Sequence, residues 1–277
     1  MTNLKSGLSG CNIELIDDDT LRKHSSNKDY DKRLLSQIKK QSLFSHHVYR
    51  NIDCPKVLRI NEGETLSFDM EYVSGFSFDE YFTHAKVSDV DVVLDSMCGY
   101  FDQLIDNSRV YHENVSRDIF TKKLSSMPES DFRNYILELV NVEDLRVPHS
   151  FCHGDLTFAN VIFHPKRLYF IDFLDSFIDS YLVDLAKIKQ DLYYLWNLRV
   201  QGLDNLRLHQ TYHYLWSKIE DRYADQLNTV SFKVLDAMNL LRIEPYLTDS
   251  SQRSILKTLV ESTDLYEKFN CTSGGEV

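Results

Sequence analysis

The segment His153-Gly154-Asp155-Leu156-Thr157-Phe158-Ala159-Asn160, followed by Ile171-Asp172-Phe173, constrains this chain most. It sets a carboxylate, a carboxamide and a second carboxylate in fixed order, Asn160 five residues after Asp155 and Asp172 twelve after Asn160. The apolar runs Val161-Ile162-Phe163 and Leu168-Tyr169-Phe170-Ile171 between the last two read as a hairpin. Adjacent strands bring Asn160 and Asp172 toward one another. Such oxygen donors suit a hard cation such as Mg2+, which uses one or two protein groups and completes its shell with phosphate and water. Asp155, on the loop that enters the hairpin, is placed to orient a hydroxyl and take its proton, help worth roughly 10²- to 10⁴-fold in rate.

Composition narrows the setting. The chain has 277 residues and a net charge of -11, with 43% apolar and 26% charged residues. That is enough chain for one large domain or two lobes with packed cores. The acidic balance argues against nucleic acid or an anionic membrane as partner and is compatible with a cationic substrate. Cys11, Cys54, Cys98, Cys152 and Cys271 are scattered and form no CxxC pair, so zinc and redox readings are weak and reduced thiols in a cytoplasm are the simplest account. Residues Met1 to Gly10 have no apolar signal core, and no apolar run reaches membrane-spanning length, so a cytoplasmic chain is expected.

The front of the chain reads as strands around one helix. Asn12–Ile16 and Thr20–His24 form a hairpin across Asp17-Asp18-Asp19. A helix follows over Asp29–Phe44, then strands over Pro55–Ile60 and Thr65–Tyr72. Helices dominate after Gly75: Ser88–Asp106, Val115–Ser126, Asp131–Val140, Leu182–Val200, Asn205–Asp221, Thr229–Arg242 and Ser250–Lys268, with a small polar tail from Cys271 expected to fray. This pattern predicts a bilobal α+β protein. A small antiparallel-sheet lobe over 1–73 joins a larger, mostly helical lobe over 74–277 near Met70–Gly75, with the ligand site in the cleft between them.

On these residues the chain resembles the aminoglycoside phosphotransferase and choline kinase family, a small-molecule branch of the protein-kinase-like fold. The match is strongest over Phe151–Asp191. The resemblance implies a catalytic base at Asp155, metal ligands at Asn160 and Asp172, and ATP and Mg2+ as cofactors. It differs from the protein-kinase pattern at two places: Gly154 stands where H-R-D has Arg, and Leu174 where Asp-Phe-Gly has Gly. No Ala-Pro-Glu follows Asp172, and only a short stretch precedes the helix near Leu182, which leaves no room for a protein-substrate platform. A small hydroxylated acceptor is therefore favoured over a protein: an amino alcohol, a sugar or an aminoglycoside-like molecule.

The nucleotide parts are assigned to the front half. Lys23 is the candidate for the α- and β-phosphates. Arg22 is its neighbour and faces the other way along the strand. The helix Asp29–Phe44 contains no Glu to anchor that lysine; Gln37 is the nearest positional match and Asp31 another acid. Gly7 and Gly10 in Ser6-Gly7-Leu8-Ser9-Gly10 form a thin phosphate loop whose amides can cradle oxygens. Met70-Glu71-Tyr72-Val73 reads as a hinge offering the Glu71 carbonyl and the Val73 amide to an adenine edge. His153 is expected to brace the loop and Asp172, and Asp184 a helix start and the same loop. Asp175 is a candidate for the substrate or metal region. Tyr193, Tyr194, Trp196, Arg199, Tyr212, Tyr214 and Trp216 are candidates for acceptor contact, or else for packing at helical spacing. The missing helix Glu and the thin glycine loop also motivate an alternative, a pseudokinase-like module that binds nucleotide and regulates a partner.

Overall fold

A computed structural model describes residues 11–110, 113–247 and 249–273. In chain order its elements are β1 (Cys11–Asp17), β2 (Thr20–Ser25), α1 (Lys28–Phe44), β3 (Ile52–Asp53), β4 (Val57–Glu62), β5 (Leu66–Glu71), α2 (Phe78–His84) and α3 (Val87–Asp106). There follow β6 (Arg109–Val110), α4 (Glu113–Ser125), α5 (Asp131–Val142), β7 (Pro148–His149), β8 (Val161–His164), β9 (Arg167–Phe170), α6 (Tyr181–Leu192) and α7 (Trp196–Gln201). The last elements are α8 (Leu206–Arg222), α9 (Ala224–Leu227), α10 (Val230–Leu241), α11 (Ser250–Glu261) and α12 (Asp264–Ser273). The expected α+β class holds: an antiparallel sheet at the front and helices through most of the rest. The chain divides into two units, residues 1–100 with 153–175, and residues 101–152 with 176–277.

The first unit is built on a four-stranded antiparallel sheet in the order β1-β2-β5-β4. Asp17 closes the β1–β2 turn by accepting the Asp19 amide at 3.0 Å, the local bond that makes Asp a turn former. Asn27 caps α1 by accepting the Tyr30 amide at 3.0 Å, and Asp29 and Asp31 place negative charge in the first turn. Leu34 and Ile38 of α1 then pack with Cys11, Phe68 and Met70 of the sheet. Asp69, between those two sheet residues, points to the opposite face, as strand alternation requires.

The first unit also holds a smaller sheet, β3-β9-β8, in which β8 and β9 form the expected hairpin and β3 runs parallel to β9. The two-residue β3 is not evident in the sequence, because a pair of residues carries no periodicity. Phe76 and Phe163 exchange two backbone hydrogen bonds of 2.9 Å, which ties the chain after β5 to β8. Gly75 makes that approach possible, since a Cβ there would lie 2.4 Å from the Ile162 side chain.

The second unit is helical, with a two-stranded ladder of β6 and β7. Helix α6 is buried along nearly its whole length. Against it, Asn239 of α10 donates to Gln190 Oε1 at 3.0 Å and to the Ala186 carbonyl at 3.3 Å. Two helices expected to be continuous are each broken. The stretch 182–200 divides into α6 and α7 because Leu195 takes a left-handed backbone (φ 56). The stretch 250–268 divides at Ser262-Thr263, where the Thr263 hydroxyl accepts the Tyr266 amide at 3.3 Å and starts α12. Helix α12 then runs through Cys271 to Ser273, so the tail expected to fray begins as helix. Among the described residues no helix is long and apolar enough to cross a membrane.

Candidate active site

Strand β2 sends Arg22 and Lys23 to opposite faces. Arg22 forms a bidentate pair with Asp69, Nε to Oδ1 at 2.7 Å and Nη2 to Oδ2 at 3.0 Å. That pair holds the Asp69 carboxyl below the usual carboxylate range, chiefly through the Arg22 hydrogen bond. Lys23 turns inward, only 2% exposed, and its ammonium meets Asp172 Oδ1 at 2.5 Å. The Asp172 side chain is 35% exposed, and its Oδ2 takes no partner among the described residues.

Gln37, the residue standing where a helix Glu is expected, lies on α1 facing the interior. Its Oε1 is buried without a hydrogen-bond partner among the described residues. The strand lysine is thus satisfied by Asp172 itself.

Three short bonds shape the loop that carries Asp155. His153 is wholly buried, and its Nε2 lies 2.8 Å from the Ile171 carbonyl. A carbonyl only accepts, so Nε2 carries the proton, and Nδ1 is left to accept the Asp155 amide at 3.2 Å. The imidazole is neutral in this arrangement, and its bond reaches the residue before Asp172 rather than Asp172. Its ring packs on Phe173 with centroids 4.4 Å apart. The Leu174 amide donates to the His153 carbonyl at 2.9 Å, which closes the loop against the 171–174 segment. Gly154 sits at the closest approach with φ +88, and a Cβ there would fall 2.1 Å from the Leu174 carbonyl oxygen. Both the backbone angle and the space require glycine.

Asn160 ends a single 3-10 turn just before β8. Its Nδ2 donates to the Asp155 carbonyl at 2.8 Å and to Asp155 Oδ2 at 3.2 Å. Its own carbonyl accepts the Ile171 amide at 3.0 Å, which places Asp172 at the neighbouring position of the hairpin's open end. Asp172 has φ 59, a left-handed conformation that costs a non-glycine residue roughly 1–2 kcal/mol. Strain of that kind collects where surrounding contacts fix a functional side chain.

The donors present fit Mg2+. Asp172 Oδ2 and Asn160 Oδ1 are hard oxygens with no partner among the described residues, and they lie at adjoining ends of one hairpin. No group of three or more His, Cys, Asp or Glu able to hold a metal occurs among the described residues, so a zinc-type cage is not what these residues build.

At the other candidate positions, the Glu71 side chain is committed to structure: Oε2 accepts the Lys56 amide at 3.1 Å. The Val73 amide takes no hydrogen bond among the described residues and lies in an extended segment, while the next amide back, of Tyr72, donates to the Asp19 carbonyl at 2.7 Å. Gly7 and Gly10 lie outside the described residues. Asp175 is exposed, and Asp184 is wholly buried in the first turn of α6, whose cap is Ser180. Tyr194, Trp196, Tyr212 and Trp216 are core residues, whereas Tyr193 and Tyr214 reach the surface. Tyr194 donates to Asp236 at 2.8 Å, and Lys189 pairs with the same carboxylate at 2.8 Å with its ammonium over the Tyr193, Tyr194 and Phe232 rings. Both bonds fall on Oδ2, and Asp236 Oδ1 is buried without a hydrogen-bond partner among the described residues.

The profile of the phosphotransferase enzyme family matches residues 4–222, a span that contains Lys23, Asp155, Asn160 and Asp172. The chain belongs to the phosphotransferase enzyme family. No curated protein matches the phosphotransferase in sequence. Solved structures match its fold closely in extent and distantly in sequence. The wild-type aminoglycoside 2'-phosphotransferase-IIIa in its GDP complex is 13% identical, with a TM-score of 0.58 over 98% of this chain and 92% of that one. A thermostable variant of aminoglycoside phosphotransferase APH(4)-Ia, in ternary complex with AMP-PNP and hygromycin B, is 11% identical, with a TM-score of 0.59 over 94% and 93%. A choline/ethanolamine kinase family protein from Mesorhizobium loti is 15% identical, with a TM-score of 0.56 over 96% and 90%. At these identities the likeness speaks for the fold, which is that of kinase-like enzymes. The family carries the class of activity: the phosphotransferase is a small-molecule kinase with a hydroxyl acceptor.

Lys40 is the residue of this site that sequence reasoning missed. It lies on α1 and is buried, with Nζ 2.9 Å from the Leu174 carbonyl. Its place in Lys39-Lys40-Gln41 gives a faint signal: helical spacing puts it on the face of Gln37 and Phe44, where a solvated lysine does not belong.

Proposed function

We propose that this phosphotransferase moves the γ-phosphoryl group of ATP, with Mg2+, to a hydroxyl of a small metabolite. The observation that carries the reading is the Lys23–Asp172 pair beside Asp155 and Asn160. It joins the ammonium of β2 to a carboxylate with an unengaged oxygen, on the same hairpin whose Asn160 orients a second carboxylate, Asp155. Phosphoryl transfer needs little more than positioned groups and compensated charge.

In this reading the acceptor hydroxyl donates a hydrogen bond to Asp155, whose carboxylate Asn160 holds in place. The acceptor oxygen bonds to the γ-phosphorus as the bond from that phosphorus to the β,γ-bridging oxygen breaks. The hydroxyl proton passes to Asp155, and the electron pair of the broken bond leaves with ADP. Lys23 compensates charge on the α- and β-phosphates, and the backbone around Gly7 and Gly10 adds amide donors. The Glu71 carbonyl and the Val73 amide meet the adenine edge. Asp172 and Asn160 would hold Mg2+, which when bound neutralises charge on the phosphate oxygens.

The acceptor class is an amino alcohol, a sugar or an aminoglycoside-like molecule. The net charge of -11 favours one that carries positive charge. A cytoplasmic setting, where ATP is available, accords with this reading. The test is incubation of the full chain with ATP, Mg2+ and a panel of hydroxylated metabolites, with mass spectrometry of the products. A product heavier by one phosphoryl group, absent with Asp155→Asn, is expected. Nucleotide binding without transfer to any acceptor would favour a regulatory nucleotide-binding module instead.

A further inference from the structure

In kinase-type sites the helix that follows the lysine strand usually reports its position through a Glu paired with that lysine. Helix α1 has no Glu, its Gln37 Oε1 is unpartnered, and Lys23 pairs with Asp172 directly. The same helix reaches the site by another route. Lys40, 8% exposed, extends its ammonium to the Leu174 carbonyl at 2.9 Å. A Cβ built on Gly154 would lie 3.4 Å from that ammonium, so the charge sits where the Asp155 loop touches the 171–174 segment. One turn along α1, Phe44 packs on Phe173 at 5.0 Å and on Phe170 at 5.7 Å between centroids. Residues four apart share a helix face, so Lys40 and Phe44 grip one segment together, one through its backbone and one through its rings.

That segment carries Asp172 in a left-handed conformation. The Leu174 amide is already committed to the His153 carbonyl. Lys40 engages the other polar group of the same peptide unit's residue, so Leu174 is held from both sides.

We infer that Lys40 is a positioning residue: it fastens α1 to the Asp172-Phe173-Leu174 turn and so fixes the direction in which Asp172 presents its carboxylate. The tether stands on the fold alone. Its consequence for Mg2+ and ATP rests on the phosphotransferase mechanism proposed above. Displacement of α1 would then act on the metal-ligand turn itself rather than on the strand lysine.

The experiment compares full-length wild type with Lys40→Met, which keeps the stem and removes the donor. Amide hydrogen exchange is followed over residues 171–175 and, as an internal reference, over α8. ATP binding is titrated with and without Mg2+. Exchange over 171–175 is expected to rise on the order of ten-fold with α8 unchanged, the loss typical of one hydrogen bond to a charged group. The Mg2+ concentration for half-maximal ATP binding is expected to rise by a similar factor, with Mg2+-free ATP affinity unmoved. Unchanged exchange over 171–175, or an equal rise everywhere, overturns the tether. Faster local exchange with the same Mg2+ requirement overturns the positioning role. If wild type binds no Mg2+-ATP, the phosphotransferase mechanism falls while the exchange comparison still decides the tether. Should Lys40→Met fail to fold, Lys40→Gln, with a donor on a shorter stem, carries the same comparison.

Discussion

The ammonium of Lys23 lies 2.5 Å from Asp172, and the two ends of this pair are unequally solvated: 2% of the lysine side chain is exposed against 35% of the aspartate. That asymmetry separates stability from function. Removing Asp172 strands a charge in the interior, whereas removing Lys23 leaves a carboxylate that water still reaches. Asp172→Ala is therefore expected to cost about 3 kcal/mol of folding free energy, and Lys23→Met about 1 kcal/mol or less. Urea unfolding of the two variants at neutral pH measures the difference. Equal losses would mean that the pair is not the lysine's main source of compensation.

Asp155 is held by Asn160, whose amide lies 3.2 Å from its carboxylate and 2.8 Å from its carbonyl. A base so fixed contributes at the transition state and little to nucleotide binding. Asp155→Asn is expected to lower turnover of the acceptor found by the metabolite screen by roughly 10²-fold or more, with ATP affinity changed by no more than about two-fold. Steady-state kinetics and direct ATP titration check the two halves. Turnover at the wild-type level would remove Asp155 from the role of base.

Much of this was legible in the sequence, and the reasons are physical. The β8–β9 hairpin announces itself by apolar runs bounded by polar residues, and the helix α1 by its period. The opposite orientation of Arg22 and Lys23 follows from strand alternation alone. What was hidden depends on distance along the chain or on too few residues. Lys40 meets Leu174 across a separation of 134 residues, a contact that no local pattern encodes. The two-residue β3 has no period to read. The breaks at Leu195 and at Ser262-Thr263 are single backbone or capping events inside sequences that remain helical in composition. The aromatic residues Tyr194, Tyr212 and Trp216 are buried, in line with the packing that their helical spacing favours over ligand contact.

Gly154 and Gly202 both take positive φ, +88 and +66, but only Gly154 is crowded. An alanine at Gly202 meets nothing within 4 Å, so Gly202→Ala carries the backbone cost alone, about 1–2 kcal/mol. An alanine at Gly154 also drives its Cβ to 2.1 Å from the Leu174 carbonyl oxygen, a backbone atom that cannot rotate away. Gly154→Ala is expected to cost about 3 kcal/mol or more and to displace the Asp155 loop, lowering turnover as well. Denaturation and kinetics on the pair of variants test this. Equal destabilisation at the two sites would mean that the loop yields freely around Leu174.

The Arg22–Asp69 pair supplies a pH dependence whose sign is fixed. Hydrogen bonding to Arg22 lowers the Asp69 carboxyl below its ordinary value, with Asn61 adding a weaker bond at 3.3 Å. The folded state therefore binds that proton more weakly than the unfolded chain, where a carboxyl titrates near 3.9. The stabilisation is complete above the unfolded value and is lost as pH falls through the lower, folded one. Arg22 is about a third exposed, so solvent screening limits the pair to roughly 1 kcal/mol. Arg22→Gln is expected to be less stable than wild type by that amount at pH values above about 5, and the gap should close as Asp69 protonates in both proteins. Urea midpoints from neutral pH down to the acid limit of folding trace the convergence. A gap that stays constant through that range would show that Arg22 stabilises the sheet by packing its stem rather than by its charge.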